Sequence, residues 1–242
     1  MKALIADLRL NSLYSVTMPF TWQSALTYPI LPPSAVIGLL ANALQRYRDD
    51  NHPLEYLDRL ESDIIWAGSR LLSPCVIRSY TMSAITKWQD RLGGKFTNAL
   101  GRQFAFTRRL QIAAVFQEGR HLDELVPALQ TTPLTCGDSE SPVTVEGRPR
   151  IVDTQDPGNS VVTTRFPAPY SQQTRIEAGN GEVLLMHPRC KKTGRDFNLI
   201  SFIVPLRQER QVIYPAELTL RLTTEQALRL GADDPGVVIR YQ

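Results

Sequence analysis

Polar and apolar positions alternate cleanly at the start of the chain. Over residues 3–10, Leu4, Ala6, Leu8 and Leu10 fall on one face, with Ile5, Asp7 and Arg9 on the other. That period of two predicts a half-buried strand. The period then changes. Val36, Ile37, Leu40, Ala43, Leu44 and Tyr47 recur at spacings of three and four, the apolar face of a helix. Pro32 and Pro33 fix φ and cannot extend a preceding helix, so they mark its start. Ser34 is placed to offer its hydroxyl to the unpaired N–H groups of the first turn. Gly38 costs this helix roughly 1 kcal/mol relative to Ala. Such a residue points to close packing of the helix against a sheet.

Further along, residues 71–82 (LLSPCVIRSYTM) and 108–119 (RRLQIAAVFQEG) read as a second and a third strand. Leu122, Leu125, Val126 and Leu129 give a short second helix, and the stretch around Val143 and Val145 a fourth strand. Strand, helix, strand, strand, helix, strand is the ferredoxin-like order, shared with RNA-recognition domains and many unrelated proteins. About 25 residues separate the two middle strands, where an ordinary hairpin needs few. The expectation is therefore an α+β fold. Residues 1–150 form a ferredoxin-like (RRM-like) palm with a projecting β-hairpin thumb inserted at about 85–109. In residues 151–242 the runs VVTTRF, EVLLMH, NLISFIVPL and AELTLRL imply a C-terminal β-rich region packed on that palm.

Composition narrows the class. With 43% hydrophobic and 21% charged residues, the chain reads as an ordinary globular protein. No apolar run reaches the length of a membrane span. Asp7 and Arg9 interrupt the segment that a signal peptide would need, so a cytoplasmic protein is expected. Cys75, Cys136 and Cys190 are odd in number, widely spaced and without a CxxC pair, which fits neither a zinc site nor a disulfide framework. His52, His121 and His187 have no His or Cys at metal-ligand spacing. No metal, cofactor or catalytic residue is expected.

The net charge of +3 is distributed unevenly. Lys87, Arg91, Lys95, Arg102, Arg108 and Arg109 stand against one acid, Asp90, so residues 87–109 carry +5 and the remainder −2. Trp88, Phe96, Phe104 and Phe106 lie among those cations. Arginine and lysine neutralise phosphates while aromatic faces stack on unpaired bases, which makes the segment a candidate RNA-binding thumb. Read in isolation, the same segment is a solvated loop whose aromatics tuck into the core. A Gly137-Asp138-Ser139 turn joins the second helix to the fourth strand. Its N–H groups could meet a phosphate, although Asp138 and Glu140 would repel one they faced. Residues 187–195 (HPRCKKTGR) read as a solvated basic hairpin tip.

Together, the N-terminal strand, the YPILPPSAVIGLLANAL helix start, the long basic insertion and the GDSESPV turn resemble the fifth Cas protein family (Cas-five, RAMP superfamily). The resemblance spans roughly the first 150 residues and is to type I CRISPR systems, of type I-A/I-B-like character. It implies a subunit that caps the 5′ handle of the CRISPR RNA in the Cascade complex. The complex would defend against foreign DNA, reaching its target DNA through guide pairing. It further implies contacts with Cas-seven backbone subunits and a Cas-eight large subunit. By position, Ser34 would lie near the handle and Ser139 in the turn flanking it. Lys87, Trp88, Arg91, Lys95, Arg102, Phe104, Arg108 and Arg109 would form the thumb surface. One subtype of the family cuts precursor RNA, but its catalytic His and Lys have no match in this sequence. A non-catalytic role is expected. A metal-independent endoribonuclease and a related type III cap subunit are the alternatives.

Overall fold

The strand Lys2–Leu10 is the middle of the main sheet, and everything else is built around it. It pairs antiparallel with Arg109–Phe116 on one side and with Pro142–Gln155 on the other. Ile64–Leu71 lies beyond Arg109–Phe116. In order of sequence these four strands lie 4-1-3-2, the ferredoxin-like arrangement. Helix α1 (Pro33–Arg48) follows the first strand, α2 (Pro53–Asp63) precedes the second, and α3 (Leu122–Thr131) links the third to the fourth. This computed structural model describes residues 1–21, 24–89, 94–172, 174–190, 192–193, 196–222, 227–231 and 236–239. For 82–89, 94–100, 192–193, 196–197 and 238 the description is of the backbone alone.

Two elements differ from the sequence expectation. The second palm strand is Ile64–Leu71 rather than 71–82, and residues 75–82 belong to the thumb. Ile64–Leu71 is buried at seven of its eight positions, so it carries no polar alternation to announce it. α2 was masked by its charges. Only Tyr56, Leu60, Glu61 and Asp63 of its eleven residues are buried. His52 caps it, accepting a hydrogen bond from the Leu54 amide at 3.3 Å, and Pro53 opens its first turn.

The first strand is also more enclosed than a half-buried strand should be. Residues 3–6 are at most 2% exposed, on both faces. Helices cover one side, and the C-terminal region covers the other. Trp66 meets Phe166 edge-on at 5.5 Å between ring centroids, and the Arg70 guanidinium lies 4.9 Å over the Phe166 ring. Phe166, Met186, Phe202, Val204 and Leu206 share one apolar cluster with Leu4, Leu8 and Ile37. Burying an aromatic of this size removes ~150–250 Å² from water, worth roughly 4–6 kcal/mol before entropy is subtracted.

The four C-terminal runs do form strands: Val161–Thr164, Glu182–Met186, Ile200–Val204 continuing past Pro205 as Leu206–Glu209, and Leu218–Arg221. Val161–Thr164 pairs with Leu218–Arg221 and Glu182–Met186 with Ile200–Val204, in sheets of their own, while another C-terminal strand extends the palm. Pro142–Gln155 runs across residue 150, and Ala227–Leu230 pairs with its end at Thr154 and Gln155.

The thumb is a long ribbon, Cys75–Gln89 paired antiparallel with Gly94–Thr107, with one register shift between Ile85 and Lys87. It begins ten residues earlier than expected. Ser73 staples its base, accepting from the amides of Arg108 and Arg109 at 3.1 and 2.9 Å. Val212–Pro215 flanks one edge at Cys75 and Val76, and Ser24–Ala25 flanks the other at Gly101 and Arg102. Among the described residues, 82–89 and 94–100 pair only with each other. At ~3.3 Å per residue, that double-stranded portion reaches roughly 25 Å.

Candidate nucleic-acid interface

Strand alternation sorts the thumb base into two surfaces. Val76, Arg78 and Tyr80 lie opposite Phe106, Phe104 and Arg102, so these six side chains share one face. On it, Tyr80 packs edge-on to Phe104 with centroids 5.8 Å apart, and the Arg102 guanidinium sits 4.8 Å over the Phe104 ring. Tyr80 and Phe106 are nonetheless 49% and 47% exposed. Arg78 is exposed as well. Stacked aromatics beside guanidinium groups, open to solvent, form a platform for unpaired bases and their phosphates. Sequence reading missed Arg78 and Tyr80 by assigning them to a palm strand. The alternation in CVIRSYTM was the available signal.

Arg102 does a second job. Its guanidinium pairs with the Asp138 carboxylate, and its Nε lies 3.4 Å from the Ser15 hydroxyl. The thumb is thereby tied to the Gly137-Asp138-Ser139 turn. Ser141 closes that turn, donating its hydroxyl to Asp138 and lying 3.0 Å from the Leu13 carbonyl. The Cys136 amide bonds to the Ser141 carbonyl at 2.8 Å. Gly137 has φ of +89°, and a Cβ there would sit 2.7 Å from the Ser15 carbonyl oxygen, so only glycine fits. Asp138 thus faces the Arg102 guanidinium. Ser139 is exposed on the outside of the turn.

The remaining thumb residues separate. Arg108 is exposed at the ribbon base. Arg109 lies one residue beyond it, in the palm sheet, and is neutralised by Asp7 at 3.3 Å and Glu146 at 2.5 Å. It is a structural cation outside the thumb, which ends at Thr107. Lys87, Trp88 and Lys95 lie on the thumb strands, in register Lys87 with Phe96 and Trp88 with Lys95. Their side chains, and Arg91 altogether, lie outside the described residues.

Ser34 does not cap α1. The cap position is Pro32, with no side-chain bond. Instead the Ser34 amide donates to the His187 carbonyl at 3.2 Å, and its own carbonyl accepts from the Cys190 thiol at 3.1 Å. Residues 187–190, the start of the expected 187–195 tip, are correspondingly pinned; Lys192–Thr193 pairs with Asp196–Phe197, and residues 191, 194 and 195 lie outside the described residues. Arg189 donates to the carbonyls of Glu61 and Ile64 at 3.3 and 2.5 Å, and the Cys190 amide bonds to the Glu61 carboxylate at 2.5 Å. Those contacts engage the backbone at the start of the Ile64–Leu71 strand, at the edge of the main sheet.

The YPILPPS stretch is a hub of the same kind. The Tyr28 hydroxyl donates to the Leu185 carbonyl, and the Tyr14 hydroxyl to the Pro29 carbonyl at 2.5 Å. Ser69 bonds to both the amide and the carbonyl of Leu31 at 2.8 Å. Gly38 departs from expectation. A Cβ built there meets no atom within 4 Å, and the helix face around it borders an open hollow of about 200 Å³ toward Leu134 and Gly137. Burial drives the nearby titrating groups toward their neutral forms: Tyr28 is pushed up to about 12, Cys75 to about 11 and Cys190 to about 12. None of these is poised to act near neutrality.

Residues 7–157, more than half of the chain, match the family described as CRISPR-associated protein (Cas_Cas5). The chain belongs to that family. The matched range includes α1, the whole thumb and the Gly137 turn, so the resemblance read from the sequence holds over the elements that carried it. Among solved structures, the Cas5-family fold of this chain is similar to the crystal structure of a CRISPR protein from Archaeoglobus fulgidus. The TM-score is 0.66 at 15% identity, covering 99% of both chains. A chain of a CRISPR RNA-guided surveillance complex is more distant, with TM-score 0.47 and 14% identity over 90% of this chain and 91% of that one. No curated protein matches the sequence. No described helix is long and apolar enough to cross a membrane.

Proposed function

We propose that this Cas5-family protein is a non-catalytic RNA-binding subunit of a type I CRISPR effector complex, holding the 5′ handle of the CRISPR RNA. The observation that carries the reading is the face of exposed Arg78, Tyr80 and Phe106 around the half-buried Phe104, at the root of a ribbon whose outer strands carry Lys87 and Lys95. Cations along the ribbon hold phosphates, and the aromatics stack on splayed bases. A thumb of this reach leaves room for Cas-seven backbone and Cas-eight large subunits to pack against the same RNA. Target DNA is then read by guide pairing, the division of labour used by RNA-guided effectors.

The histidines support a binding rather than a cleaving role. His52 caps α2, the His121 ring lies beside Glu124 at 4.0 Å, and the His187 ring is bonded to the Asn198 carbonyl at 2.9 Å. The His52 and His187 rings thus hold local structure, whereas the buried Nδ1 of His121 makes no hydrogen bond among the described residues. Incubating the purified chain with single-stranded repeat RNA in EDTA tests the reading: the RNA should be bound and recovered intact. Cleavage at one defined position would instead establish a metal-independent endoribonuclease.

A further inference from the structure

The C-terminal region contains two small sheets that share one apolar cluster. In the first, Glu182–Met186 pairs with Ile200–Val204, which pairs in turn with Ala168–Pro169. In the second, Arg175–Gly179 pairs with Leu218–Arg221, and that strand with Val161–Thr164. Val183 lies in register with Ile203, and Ile203 with Ala168. Ile176 lies in register with Leu220, and Leu220 with Val162. Side chains in register share a face, so both rows look into the cluster. Ile203, Ala168, Leu220 and Val162 are at most 3% exposed, yet Val183 is 51% and Ile176 42% exposed. Leu185, next on the face of Val183, is 48% exposed. The two outer strands are joined only through Asn180 and Gly181, so both rows run out on the same side. The apolar interior of the sandwich is open there.

The backbone is open at the same place. The Tyr170 amide donates to the Ser201 carbonyl at 2.8 Å, so Ser201 points toward Ala168–Pro169. Alternate residues of an antiparallel ladder point opposite ways. Ile200, Phe202 and Val204 therefore bond to Met186, Leu184 and Glu182, and Val183 and Leu185 point outward. The Tyr28 hydroxyl takes the outward Leu185 carbonyl. Among the described residues nothing bonds to the Val183 amide or carbonyl, or to the Leu185 amide. The strand EVLLM has no lysine, no proline and no register shift, the usual devices that close a sheet edge.

We infer that this edge receives an extended segment of another protein subunit, which pairs with Glu182–Met186 as an added strand. The subunit is sought in the CRISPR complex proposed above, and to that extent the inference rests on that reading. An open amide and carbonyl on one residue select a polypeptide backbone over RNA. A strand laid there turns alternate side chains two ways. One set covers Val183, Leu185 and Ile176, and so is apolar. The other falls beside Leu184, which lines an open groove of about 520 Å³ with Ile77 and Ile213. Arg78 and Arg210 line that groove against one acid, Glu182, so a carboxylate on this side of the segment is favoured.

Hydrogen exchange tests the pairing, comparing the full chain alone with the complex purified with its other subunits. The Val183 and Leu185 amides should exchange freely in the chain and about 100-fold more slowly in the complex. Val183→Pro removes an amide that bonds nothing within the chain, at an edge position that tolerates proline. It should melt with the parent and bind single-stranded repeat RNA as tightly, yet recover about 10-fold less of one subunit. Leu185→Asp reaches the same edge through an exposed side chain and should have the same effect, which covers the case of a strand disturbed by proline. Unchanged exchange on assembly, or full recovery of every subunit by Leu185→Asp, overturns the inference. Protection that appears in the chain alone and grows with its concentration means a second copy, and overturns it too. If the parent recovers no subunit, the inference falls, while the repeat-RNA titration judges the RNA-binding reading separately. A protected edge in a parent that binds no RNA would sink that reading and leave this one standing.

Discussion

Two glycines of the candidate site have opposite requirements. Gly137 adopts a left-handed φ with the Ser15 carbonyl 2.7 Å from where a Cβ would lie. Gly137→Ala should therefore cost about 2 kcal/mol or more and loosen the turn that holds Arg102 through Asp138. Gly38 sits in a helix with open space around it, so Gly38→Ala should stabilise by roughly 0.5–1 kcal/mol. Chemical denaturation of the two variants checks both signs. The buried thiol of Cys75 gives a pH prediction. Burial raises its pKa from 9.0 to about 11, disfavouring the thiolate in the folded state. Its contribution to stability is full below pH 9 and is lost as pH rises through about 11, at ~1.4 kcal/mol per unit between. Cys75→Ala should flatten that alkaline limb in unfolding curves taken from pH 8 to 11.

At the scale of elements, the thumb separates binding from folding. Tyr80 and Phe106 are half exposed on a ribbon stapled at its base by Ser73. Tyr80→Ala and Phe106→Ala should leave stability within ~0.5 kcal/mol of the parent and weaken RNA binding by roughly 1–3 kcal/mol each. Thermal melts and anisotropy titrations on the same preparations decide it. What sequence reading could see at this scale followed from periodicity. The first strand, α1 and α3 all show a clear one, and the basic insertion stands out by charge. Ile64–Leu71 has none because both its faces are buried, and α2 hides its short apolar stripe among charges. The thumb start was misplaced because Cys75–Met82 alternates as well as any palm strand. Side-chain pairing was not legible. Nothing in the sequence tells that Arg102 meets Asp138, or that Arg109 is taken by Asp7 and Glu146.

The whole molecule is held by contacts between its two halves. Phe166 packs on Trp66 and under Arg70, and the C-terminal strands extend both the main sheet and the thumb sheet. Phe166→Ala should cost ~3–5 kcal/mol, and calorimetry should still show one transition at a lower temperature rather than two. Charge is also a property of the whole. A net of +3 is small, but the excess positive charge is carried by a ribbon reaching away from the body. A long-range field of that shape steers a polyanion toward the thumb. The salt dependence of single-stranded RNA binding measures this most directly, comparing the parent with Lys87→Ala/Lys95→Ala/Arg108→Ala. Each phosphate contact removed should reduce the slope of log K against log salt by ~0.7, so the triple variant should lose about 2 units of slope and bind more weakly. An unchanged affinity and slope would contradict the thumb as the RNA-binding surface.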